Sequence, residues 1–183
     1  AAGDVDLALM QGGTRLPSAI VDESPTGDEV RGLASLYFEP LWVFVRLAGT
    51  ADTTKLARLQ QLQGLRVNGG APGSGTRALV EDLLALNDMD GAEFSGMSTA
   101  EASQRLLAGE LDAMFVVGGV ASPEIDALLR ADDVGLMNLE RTEAYHLHRR
   151  YLSPLLLPAG AIDLAENRPV DDVELIGVTA MLA

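Results

Sequence analysis

At 183 residues and 48% hydrophobic content, the chain is long enough for one good core or two small lobes sharing a connection. It contains no cysteine, which excludes a disulfide framework, a thiolate metal site and a cysteine nucleophile. A formal net charge of −14 with no compensating basic patch argues against nucleic acid as a partner. No apolar run approaches the ~18–20 residues of a membrane span.

The segment 4–10 reads as a buried strand ending at Gln11-Gly12-Gly13. A polar stretch from Pro17 to Gly27 separates it from two strand-like runs, 31–37 and 41–47, joined through Glu39-Pro40. The periodicity then predicts a helix over 53–62, closed by Gly64 as a C-cap. A strand over 65–68, a helix over 75–86 and a weak strand over 92–96 follow. Ser98-Thr99-Ala100-Glu101 is a capping-box signature for a helix ending near Gly109. A buried strand over 111–117 leads to a helix start at Ser122-Pro123. The remaining expectations are a strand over 134–139, a polar helix over 140–150, and strands over 155–157 and 173–180. Strands alternate with helices through the middle, so a parallel, doubly wound α/β sheet is expected there.

The stretch 64–79, GLRVNGGAPGSGTRAL, carries the strongest chemical signal. A short strand enters a loop rich in glycine, and a helix begins at Ser74-Gly75-Thr76. Such a loop brings backbone N–H groups together at the positive end of a helix, where they bind carboxylate or phosphate. The nucleotide readings fit poorly. A Walker A loop needs lysine before Ser/Thr, and none stands beside Gly75-Thr76. Gly73-Ser74-Gly75-Thr76-Arg77-Ala78 matches a dinucleotide pattern formally, but no acid ends the next strand and Pro72 interrupts the turn. A small carboxylate and a plain strand-to-helix turn remain. Ser74 is not a nucleophile elbow, because Pro72 and Thr76 occupy the positions that need glycine. His146 and His148 stand two apart on a predicted helix, pointing to different faces as exposed residues. No catalytic set, metal site or cofactor motif emerges.

Phe115 to Val120 repeats the logic of strand, glycines and helix start. Two such junctions at the carboxyl ends of parallel strands would line one crevice. Gln11 and Tyr37 are candidates for its opposite wall, although Gln11 reads equally well as a solvated strand end.

RVNGGAPGSGTRAL, with LASLYFEPLWVFVR before it and LLAGELDAMFVVGGVASPEIDALL after it, resembles the TAXI-type solute receptors of TRAP transporters. The opening DVDLALMQGG and the closing PAGAI…VELIGVTAML are similar to the corresponding family segments, so the resemblance covers nearly the whole chain in order. It implies a type II periplasmic-binding-protein fold, with two α/β lobes and a ligand cleft between them. Residues 41–150 would form the second lobe, with 1–40 a first-lobe segment and crossing, and 151–183 the return crossing. Carried over by position, Asn68, Ser74, Gly75 and Thr76 would meet the ligand from the second lobe, with Gly118 close by and Gln11 and Tyr37 facing them.

The resemblance also implies a periplasmic, extracytoplasmic receptor that takes a small organic anion such as glutamate, glutamine or a dicarboxylate. It would deliver that anion to the membrane permease subunits, without a cofactor or catalysis. Family receptors begin with a further strand–helix unit that has no counterpart here. A fragment, or a domain of a larger protein that includes a membrane anchor, is therefore expected, with the first lobe incomplete. A ligand-sensing domain of a regulator or membrane sensor is the alternative on the same fold.

Overall fold

The computed structural model describes residues 9–11, 33–47, 56–89 and 91–182. The expectations for residues 4–8, 12–32 and 53–55 lie outside them. The elements in chain order are β1 (Leu9–Gln11), β2 (Ala34–Arg46), a 3-10 turn (Leu59–Leu62), β3 (Val67–Asn68), α1 (Gly75–Leu86) and α2 (Thr99–Leu107). β4 (Ala113–Val117), α3 (Pro123–Arg130), β5 (Val134–Leu136), α4 (Thr142–His148), β6 (Leu152–Leu157) and β7 (Val173–Leu182) complete them.

One seven-stranded sheet runs β1-β7-β2-β4-β3, with β5 added to β2 and β6 to β7. β2 is its axis. Residues 34–41 pair antiparallel with β7, 41–45 with β4, and 44–46 with β5. The two expected strands are thus one, running through Glu39-Pro40 without a break. Proline is tolerated because the Pro40 carbonyl, and with it the missing N–H, faces the β4 edge beyond the end of β4. There, among the described residues, the only ladder contact is Gly118 N–H to Pro40 O at 3.3 Å.

The sheet is mixed, which corrects the expectation of parallel pairing. β3 and β4 pair in parallel, and β4 and β5 both run opposite to β2. The three strands therefore point the same way, as strand–helix–strand winding requires, with β2 inserted antiparallel between β4 and β5.

Burial on both faces explains why 41–45 is an unbroken apolar run. Leu41, Val43 and Val45 face a layer holding Leu79, Val80 and Leu83 of α1. Trp42 and Phe44 face a layer holding Ala102 and Leu106 of α2 and Ile125 and Leu128 of α3. The α1 start is local in origin, with Ser74 as N-cap, and α2 likewise starts on Ser98, whose oxygen accepts Glu101 N–H.

Two expectations fail locally. The described part of the helix over 53–62 is only the 3-10 turn, followed by Gly64 at φ +79°. Leu59 and Leu62, three residues apart, are both buried, and one tight turn satisfies that spacing as well as an α-helix would. The weak strand over 92–96 reduces to a single parallel bridge, Asn68 with Ser95.

Polar anchors tie the layers. Arg149 clasps Asp82 of α1 with contacts of 2.7 and 2.8 Å, and Tyr151 donates to the same carboxylate at 2.5 Å. Arg66, just before β3, holds Asp112, just before β4, at 2.7 Å through Nη2 and at 2.8 Å through its backbone N–H. The Arg66 hydrogen bonds hold the Asp112 carboxyl below its usual range, against the opposing effect of burial. A depressed carboxyl stabilises the fold above the ordinary carboxylate value, and that contribution drains away as pH falls through the lowered one. Asp112→Asn should therefore lower the melting temperature at pH 7, and the gap to the native chain should close below about pH 4. Thermal melts from pH 7 to 3 check this, and a gap that stays constant would contradict it.

Candidate functional site

The first turn of α1 is built by the loop 69–74. Gly70 and Gly73 adopt φ of 91° and 78°, a left-handed backbone that glycine takes at little cost. The turn draws the chain close enough that a Cβ on Gly70 would lie 3.0 Å from the Thr76 side chain. Ser74 Oγ accepts Arg77 N–H at 3.1 Å, and Ser74 N–H donates to Ala71 O at 3.0 Å. The next two N–H groups, of Gly75 and Thr76, have no acceptor among the described residues. They are unspent donors at the positive end of a twelve-residue helix.

Thr76 is fixed from below. Its Oγ1 accepts the N–H of Val117, the last residue of β4, at 3.1 Å, which leaves the hydroxyl proton available to a ligand. From above comes Gln11 of β1. Its Nε2 donates to Gly75 O at 3.4 Å, and a Cβ on residue 75 would stand 2.0 Å from Gln11 Oε1. Glycine at 75 is what lets the amide lie on the helix turn. Gln11 and Tyr37 both register with Ala180, one on each side of β7. Directly paired residues share a sheet face, so Gln11 and Tyr37 stand on the α1 side, roughly 10 Å apart across two strand spacings. Tyr37 is 54% exposed.

The structure thus brings Gln11, Gly75 and Thr76 together, with Tyr37 on the same face. The other predicted residues play different parts. Ser74 spends its oxygen on the cap. Asn68, 1% exposed, turns to residues 95–97, accepting Met97 N–H at 2.7 Å and Ser95 Oγ–H at 3.3 Å and donating to Met97 O at 3.4 Å. Gly118 accepts the Trp42 indole N–H at 2.8 Å on the opposite, α2/α3 side of the sheet. α1 and α3 accordingly pack on opposite faces and start after the adjacent parallel strands β3 and β4, so the two junctions meet at the carboxyl ends of those strands.

Sequence reading missed Trp42 and Val117, which set the β4 end from its two sides. A lone tryptophan beside Pro40 was the available signal for the first; a backbone N–H leaves none for the second. His148 is exposed as expected, whereas His146 is half-buried with Nδ1 2.6 Å from Leu152 O, so it serves the α4–β6 junction. Among the described residues, no group of three or more His, Cys, Asp or Glu side chains is placed to hold a metal ion.

A family model described as the NMT1-like family matches residues 1–183. The chain belongs to the NMT1-like family. Among solved structures, it resembles the effector-binding domain of QuiR in complex with shikimate, at a TM-score of 0.51 and 11% identity, covering 96% of this chain and 62% of that one. The regulatory domain of CcmR from Synechocystis PCC6803, in complex with 2-PG, gives 0.48 and 12%, covering 95% and 64%. An ABC transporter periplasmic binding protein from Brucella ovis with glutathione bound gives 0.47 and 12%, covering 83% and 36%. The chain spans less than two-thirds of the length of each. At such identities the likeness concerns fold alone, and that fold is the type II periplasmic-binding-protein and LysR effector-binding architecture.

The contact between Gln11 and Gly75 is open to a double-mutant cycle. Gly75→Ala should force the Gln11 amide off the helix turn, and in a Gln11→Ala background that cost should vanish. Urea unfolding of the four proteins is expected to give a coupling of about 0.5–2 kcal/mol. Effects that add within about 0.3 kcal/mol would show that the two residues do not meet.

Proposed function

We propose that this chain is the ligand-binding module of an extracytoplasmic solute receptor of the TAXI type, which captures a small carboxylate for a TRAP permease. The observation that carries the reading is the pair of unspent N–H groups at Gly75 and Thr76, beside the Gln11 amide that donates to Gly75 O. On this reading residues 41–150 form the second lobe, and the strands on either side of it supply the first-lobe wall. Asn68, Ser74 and Gly118 then hold the lobe's cleft edge in shape, while Gln11, Tyr37, Gly75 and Thr76 meet the ligand.

A carboxylate accepting from the two N–H groups and the Thr76 hydroxyl gains roughly 1.5–3 kcal/mol per bond, and the helix terminus adds about 0.3–1 kcal/mol. Micromolar affinity corresponds to about 8 kcal/mol, and association carries its own entropic cost. The anchor alone therefore falls short. The ligand needs a second polar end for Gln11 and Tyr37, which favours an amino acid or dicarboxylate over a simple fatty acid. Binding of this kind requires no catalytic residue and no cofactor.

Calorimetry with L-glutamate, L-glutamine and succinate tests the reading. One of them should give saturable one-to-one binding in the micromolar range, and Thr76→Val should weaken it at least tenfold with the far-ultraviolet spectrum unchanged. A folded protein that takes up none of the three would contradict it. A ligand-sensing module is the second reading, favoured by the fold shared with an effector-binding domain. It uses the same site, and a helix-turn-helix or kinase segment on the same polypeptide would decide for it.

A further inference from the structure

A second recess, on the opposite face from Gly75, is independent of that reading. It is a groove of about 770 Å³ between the end of α3 and the segment that leads into β7. Its floor is apolar, with Phe44, Leu128, Val134, Leu136, Ile162 and Val173 among its lining residues. One side is the strand β5. Arg168 bridges the two walls, pairing with Asp132 and donating to Arg130 O at 3.2 Å.

The β5 edge decides what the groove fits. Leu47 N–H donates to Asp133 O at 2.8 Å and Met137 N–H to Val43 O at 2.9 Å. With Val45 registered to Gly135, residues 133, 135 and 137 make the bonds toward β2. The alternate residues, 134 and 136, face away. Val134 N–H finds Ala131 O at 3.4 Å, but the carbonyl of Val134 and both backbone groups of Leu136 have no partner among the described residues. An open strand edge thus lies along an apolar groove. Its lining carries four carboxylates, Asp132, Glu166, Asp171 and Asp172, against one guanidinium, Arg168. Arg168 pairs with Asp132 and also feels Glu166, while Asp171 and Asp172 have no ion pair among the described residues.

We infer that this groove takes an extended segment of a basic partner protein, added as a further strand on β5. Backbone bonds to Val134 O and to Leu136 N–H and O would hold it, as in strand addition generally. Its side chains on that face enter the apolar floor, and lysine or arginine in the segment meets the exposed Glu166, Asp171 and Asp172 of the same lining. A second copy of this chain is the wrong occupant. The face would meet its own carboxylates, and the chain as a whole carries −14 with a single lysine.

The test uses the full chain with three synthetic nonapeptides: alternating Val/Thr and Lys, the same with Glu for Lys, and the first with a central proline. Fluorescence anisotropy should show saturable binding of the lysine peptide only, at least tenfold stronger than either control and weakening as salt rises. Hydrogen exchange at the Leu136 amide should slow at least tenfold on binding. Leu136→Pro removes an N–H that β2 does not use, so it should leave the fold intact and abolish the interaction. Should that variant unfold, Asp171→Lys with Asp172→Lys provides the second probe, expected to weaken the peptide at least tenfold. Equal binding of the glutamate peptide, binding that leaves the Leu136 amide unprotected, or a dimer through this face in sedimentation would each overturn the inference. So would no binding at all.

Discussion

Every part of the molecule is referred to one strand. β2 is thirteen residues long, and it changes partners along its length: β7 over its first half, β4 and β5 over its second. That exchange forces the two halves of the sheet into one register. It also forces the sequence 41–45 to be apolar throughout, because helices cover both faces there while the side chains alternate between them. Pro40 stands at the exchange point, where one edge has no donor to receive. Displacing β2 by one residue would send Trp42 and Phe44 to the wrong layer and move Tyr37 off the face that it shares with Gln11.

The same constraint places the candidate site. The end of β4 lies beside Leu41, and Tyr37 is four residues back along β2, about 13 Å away at the usual strand rise. α1 is hung on β4 through Thr76 and Val117, so its first turn meets the sheet between those two levels. Gln11 reaches that turn because β1 pairs with β7 at Ala180, the residue that also pairs with Tyr37. The site is therefore assembled by three strands and one helix, each contributing a different kind of group. The helix gives N–H donors, the strands give an amide and a phenol, and the intervening loop gives only shape.

What was legible in the sequence was local. The α1 start at Ser74 and the α2 start at Ser98 each depend on one side chain within three residues of the backbone group that it caps. The 41–47 run and the order of elements were readable for the same reason. The contacts that make the site were not, because Thr76 with Val117 and Gln11 with Gly75 join positions 41 and 64 residues apart. Asn68 entered as a ligand contact only through the family resemblance, and in the structure its amide closes the 95–97 turn. The described part of the helix expected over 53–62 is a 3-10 turn because Leu59 and Leu62 define a spacing without defining which helix meets it. The parallel expectation held for β3 with β4 and for the direction of β5, but nothing in the strand–helix alternation reveals that β2 enters antiparallel between β4 and β5.

The central claim is that the unspent donors at the head of α1 receive a carboxylate opposite Gln11. Amide resonances report on those two N–H groups directly. In a titration of the isotope-labelled chain with L-glutamate, L-glutamine and succinate, the Gly75 and Thr76 signals should move downfield together and saturate with one of the three. The Gln11 side-chain amide should shift on the same curve. If the chain binds one of these ligands while the Gly75 and Thr76 signals stay in place, the site lies elsewhere and the account is wrong.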